Sequence, residues 1–91
     1  MMNIIRRLDL AIDVLRGMRF KDVEKKYGLT PATARESFNV AYRIAIYRAR
    51  SEGVEWNTVI PDGCRVTPIT LRAFSTKLIP WLEKSKEQDD S

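Results

Sequence analysis

The chain has 91 residues, 44% of them apolar and 31% charged, with sixteen Lys/Arg against twelve Asp/Glu and a net charge of +4. That length sets one domain with a modest core, and no apolar run approaches the ~20 residues a membrane span needs. A single cysteine, Cys64, and no histidine exclude an internal disulfide and a Cys/His zinc site, and remove the commonest general base.

Residues 3–16 place Ile5, Leu8, Ile12 and Leu15 at helical spacing, with Ile4 and Ala11 widening the stripe. Asn3 is the expected N-cap and Gly17 the stop. The segment after Arg6-Arg7 is interrupted by Asp9 and Asp13 rather than being an unbroken apolar run. No secretory leader is therefore expected, and the protein is read as cytoplasmic. A second helix is predicted over 20–27, where Phe20, Val23 and Tyr27 repeat at i, i+3 and i+7, and Gly28 suits the left-handed position that ends it. Thr30 then caps a third helix, and Pro31 fits its first position because that N–H has no partner to lose.

The third helix runs to about Ser51, roughly 30 Å. Near its start Ala34 and Phe38 face inward, while Ala32, Arg35, Glu36 and Asn39 face outward, with Arg43 one turn further on. Past Val40 it is apolar nearly all round, so either the C-terminal segment or a second copy of the chain must pack on that half. Val59 and Ile60 precede the turn residues Pro61-Asp62-Gly63, and Val66, Thr67, Ile69 and Thr70 favour extended structure, so a strand or hairpin is expected there. A last helix carries Phe74, Leu78, Trp81 and Leu82 on one face, with Pro80 kinking it or delaying its start. The expected fold is mainly α, a helix-turn-helix bundle of about four to five helices with a short β element near residues 59–70. Residues 1–52 would form the helix-turn-helix part, 53–84 a packing and dimerisation element, and 85–91 a charged, disordered tail.

Two helices joined by a short glycine-containing turn form a unit whose second helix can enter a DNA major groove. Gly28 suits the turn, Leu29 plugs the corner, and small Ala34 lets the helices approach. Glu24 departs from the pattern, since a small residue is usual four before the glycine. Either its stem lies along the surface, or the helices cross differently. A plain core linkage would leave no preferred charge on the exposed start of the third helix. Instead residues 1–50 hold eleven Lys/Arg against five Asp/Glu, and residues 51–91 five against seven. That asymmetry suits a polyanion-binding half. Arg35 and Asn39 are the expected base-reading residues, with Thr33 and Arg43 beside them, because Arg pairs bidentately with guanine and Asn with adenine. Arg19, Lys21, Lys25, Lys26 and Thr30 are the expected DNA backbone contacts.

The stretch "GLTPATARESFNVAYR" resembles plasmid-type helix-turn-helix repressors, and "IPDGCRVT" with the later Trp81 is similar to the segment after the reading helix in KorA/TrfB-like plasmid repressors. The resemblance implies a plasmid or phage repressor that binds a palindromic operator on double-stranded DNA as a homodimer. "VLRGMRFKDVEKKYGLTPATARESFNVAYRIA" is also similar to sigma-factor region four. That similarity implies the alternative, an RNA-polymerase or host-factor interaction module that does not read DNA alone, and it admits RNA polymerase or a second regulator as a further partner. Trp56, Phe74 and Trp81 are first read as core, but so small a chain has little room to bury both tryptophans, so dimerisation is expected through Phe74, Leu78 and Trp81. No serine, cysteine or carboxylate pair has the spacing of an activated nucleophile. The chain is accordingly read as a non-enzyme without catalytic residues, metal or cofactor.

Overall fold

Helix α1 (Ile4–Leu15) is the one on which the others pack: α2 (Phe20–Tyr27), α3 (Pro31–Ser51), the four-residue α4 (Pro68–Leu71) and α5 (Ser75–Asp90) all touch it. The computed structural model describes residues 3–90, and the side chains of residues 3–87. Asn3 caps α1, its side-chain oxygen accepting from the Arg6 N–H at 2.8 Å. At the other end the N–H groups of Gly17 and Met18 donate back to the carbonyls of Val14 and Asp13. Gly17 does so with φ +110°, a conformation that side chains rarely adopt. Leu8, Ala11, Ile12 and Leu15 are buried as their spacing predicts, but so are Leu10 and Val14, while Ile4 is 44% exposed. A helix with neighbours on several sides loses the one-sided apolar pattern, and α1 is such a helix.

Much of the apolar second half of α3 is covered by the chain's own C-terminal layer, with Tyr47 left outside it. Helix α5 packs on both α1 and α3, and Leu78 and Leu82 join Ala41 and Ala45 in one core cluster. Ala41, Ala45 and Ala49, spaced at i, i+4 and i+8 on α3, are fully buried. After α3 a 3-10 turn, Trp56–Thr58, returns the chain, and the Trp56 indole donates to the Tyr42 hydroxyl at 3.1 Å with the two rings edge to face. The Arg48 guanidinium and the Lys84 ammonium both bind Glu52, joining the end of α3 to α5.

Two expectations are corrected. Among the described residues there is no strand: 59–67 is irregular and 68–71 is helical. Val59 and Ile60 are both buried, which an alternating half-buried strand would not allow. The Thr67 hydroxyl accepts from the Thr70 N–H while Thr70 reaches back to the Thr67 N–H, a capping box that uses β-favouring residues to start α4. The tail expected to be disordered from residue 85 instead continues α5 to Asp90, with residue 91 outside the described residues. Ser85 is buried with its hydroxyl donating to the Trp81 carbonyl, and Lys86 pairs with Asp9. Pro80 lies inside α5 without delaying its start. The carbonyl it leaves unpaired belongs to Thr76, and both residues are exposed, so water can serve it.

One long-range contact joins the C-terminal layer to the corner before α2. The Arg72 guanidinium donates to the Val14 and Met18 carbonyls, at 2.9 Å each. A cation there also meets the negative end of the α1 dipole. Arg72→Ala is expected to lower the free energy of unfolding by about 2 kcal/mol, as for hydrogen bonds to a charged group. Urea denaturation checks this, and a loss under ~0.5 kcal/mol, the range of surface substitutions, would show the contact to be dispensable.

Candidate nucleic-acid interface

Helix α2, the turn Gly28-Leu29-Thr30 and α3 make a helix-turn-helix corner. Gly28 takes φ +66°, and a Cβ built there meets nothing within 4 Å, so the glycine is required by backbone conformation rather than by space. The N–H groups of Gly28 and Leu29 both return to the Glu24 carbonyl. The Thr30 side chain caps α3 by accepting from the Thr33 N–H at 3.2 Å, and its hydroxyl donates to that of Thr33 at 2.9 Å. Ala34 is fully buried and Phe38 nearly so, its ring 6.2 Å from Phe20 in an edge contact between α3 and α2. Glu24 is only partly buried, which fits its stem lying along the surface.

The outward side of α3 presents Thr33, Arg35, Glu36, Asn39 and Arg43, all exposed. The Arg35 guanidinium lies 5.2 Å from the centre of the Phe20 ring, so that one ring packs on Phe38 and also orients the arginine above it. Asn39 and Arg43 follow on the same side one and two turns later. Of the expected backbone contacts, Lys21 and Lys25 are exposed and one turn apart on α2. Arg19 pairs with Asp22 at 3.3 Å, but its side chain is 79% exposed and such a pair is worth little, so a phosphate could replace the carboxylate. Thr30 is held in the cap. Lys26 is not brought to the face: its ammonium sits 2.7 Å from Asp13 on α1.

Of the three residues expected to join subunits, Leu78 is 1% exposed within the monomer's core and cannot meet a second chain. Phe74 and Trp81 are partly buried against that core. The large apolar residues most open to solvent are others: Tyr47, Ile69, Val66 and Ile4. Tyr47 belongs to the half of α3 expected to be covered on most sides, and the structure instead leaves it exposed. The spacing of Arg43, Tyr47 and Arg50 at i, i+4 and i+7 was the available signal that the outward face continues past Arg43.

The corner is fastened to α1 by one carboxylate. Asp13 accepts from the Tyr27 hydroxyl and from Lys26, both at 2.7 Å on the same oxygen. Burial pushes the Asp13 carboxyl up, but these two hydrogen bonds and the Lys26 charge outweigh it and hold the group below its ordinary range. Burial and the bond to Asp13 push the Tyr27 phenol up.

The chain matches no protein-family model, no curated protein and no solved structure. Its fold class is that of a small helical bundle, and its function must be read from the geometry above.

Because Asp13 is depressed in the folded state, its contribution is complete above the unfolded carboxylate value of ~3.9 and fades as pH falls through the lower folded one. Tyr27→Phe should lower stability by about 1 kcal/mol at neutral pH. The difference from the parent chain should shrink as pH falls below the ordinary carboxylate range and Asp13 takes up its proton, which weakens the charge-assisted bond to Tyr27. Urea titrations at neutral pH and in acid test this; an undiminished gap in acid would assign the effect to packing instead.

Proposed function

We propose that this chain is a sequence-specific DNA-binding transcriptional regulator, a repressor that reads a palindromic operator with α3 and works as a homodimer. The observation that carries the reading is the exposed row Arg35, Asn39 and Arg43 on the outward side of a helix whose start is held by a Gly28 turn and a Thr30 cap. Those residue types suit hydrogen bonding to guanine and adenine edges. The eight-residue step from Pro31 to Asn39 spans about 12 Å of helix, the width of the major groove. Arg43, a turn further along the same side, is with Thr33 the remaining candidate for a base contact. Lys21 and Lys25 on α2, with Arg19, supply phosphate charge beside it. The likeness to KorA/TrfB-like repressors agrees with this role.

For the homodimer the partly buried Phe74 and Trp81, with exposed Val66 and Ile69, offer apolar surface in the C-terminal layer. Two copies would set their reading helices about 34 Å apart on one face of the duplex. Occlusion of a promoter would then follow from occupancy.

Selection of bound sites from random duplex DNA, followed by salt titration on the selected site, tests the proposal. A palindromic consensus is expected. Arg35→Ala and Asn39→Ala should each weaken the selected site by about 1–3 kcal/mol and relax preference at one position. Lys25→Ala should weaken all sequences alike and reduce the salt slope by about 0.9. Absence of enrichment over bulk DNA would remove the repressor reading and favour the interaction module.

A further inference from the structure

The outward face of α3 does not end at Arg43. Ile46, Tyr47 and Arg50 continue it, and with Arg43 they line a surface concavity of about 250 Å³. Tyr47 is 78% exposed, the most open of the large apolar side chains among the described residues. From Ser37 to Ser51 the helix holds no acidic residue. The nearest acid beyond it, Glu52, is taken up by Arg48 and Lys84. An aromatic and an aliphatic side chain thus lie between two arginines on an acid-free stretch of helix.

We propose that Arg43, Ile46, Tyr47 and Arg50 form a docking surface for an acidic amphipathic helix of a partner protein. An apolar side chain of that helix would seat against Ile46 and Tyr47, with carboxylates on Arg43 and Arg50. The two arginines are seven residues apart, about 10 Å along the helix, so carboxylates at i and i+7 of an antiparallel partner would meet both. A second copy of this chain is the poorer occupant. A two-fold interface pairs a patch with itself and would bring arginine onto arginine. Duplex DNA is also poorer, because phosphates would use the two arginines but leave the apolar surface of Ile46 and Tyr47 without a partner. The inference rests on the DNA-binding reading only in giving the first turns of α3 to the duplex.

The test uses the full chain and a labelled helical peptide with glutamates seven residues apart flanking leucine and phenylalanine, beside an analogue with lysines for the glutamates. Fluorescence anisotropy should show the acidic peptide bound at least about tenfold more tightly than the lysine analogue. Tyr47→Ala should weaken it by about tenfold, with circular dichroism showing the fold intact and binding to the selected DNA site unchanged. The double change Arg43→Glu and Arg50→Glu should reverse the preference between the two peptides. Arg35→Ala should impair DNA binding and leave the peptide alone, which separates failure of this surface from failure of the DNA reading. Equal affinity for the two peptides, or an acidic peptide indifferent to Tyr47→Ala, would overturn the proposal. So would a loss of DNA binding on Tyr47→Ala, which would give the face to the duplex, or conversion of a dimer to monomers, which would give it to self-association.

Discussion

The Arg72 guanidinium joins the last turn of α1 to the chain just before α2, by its bonds to Val14 and Met18. That pair of bonds fixes where α2 can begin, and α2 fixes where the Gly28 turn delivers α3. The outward face of α3 is therefore aimed by a residue more than twenty positions beyond its end. Without the C-terminal layer the first three helices would keep their caps but lose Leu78 and Leu82, which share one core cluster with Ala41 and Ala45. The two halves share one core, so the helix-turn-helix corner and the C-terminal layer stand or fall together.

Electrostatics divide the basic residues into two sets. Arg16 pairs with Glu83, Lys26 with Asp13 and Lys86 with Asp9, across a cleft that α1, α2 and α5 share. Those charges meet their opposites within the molecule, and several are half-exposed, so their net worth in stability is small. Among the described residues the ion pairs do not include Arg35, Arg43 and Arg50 on α3 or Lys21 and Lys25 on α2. The positive potential that a polyanion or an acidic helix would meet comes from this second set.

Much of the corner was legible because its instructions are local. Asn3, Gly28, Thr30 and Pro31 act on backbone groups within a few residues, and the structure places each where its chemistry demands. Ala34 and Phe38 face inward as the helical period requires. What could not be read is non-local. Val66, Thr67, Ile69 and Thr70 favour a strand only where another strand lies alongside, and Thr67 and Thr70 instead cap each other. Leu10 and Val14 fall off the main stripe of α1, and only the packing of several helices around it explains their burial. Nothing near Arg72 in sequence signals two carbonyls more than fifty residues upstream. Arg35 could be placed on the outward face, whereas its seat over the Phe20 ring depends on how α2 and α3 cross.

Burial of α1 against α5 also sets an order of events during synthesis. Helix α1 can pack on α2 and α3 as soon as they are made, but its packing against α5 waits until residues 75–85 have been added. Until then the growing chain carries a complete helix-turn-helix corner on an open apolar flank. The wait is short, a few seconds at ~5–20 residues per second, but during it the nascent segment exposes apolar surface that the finished protein hides. Chaperone contact with the nascent chain would fall in that interval, before the outward face of α3 has a rigid support.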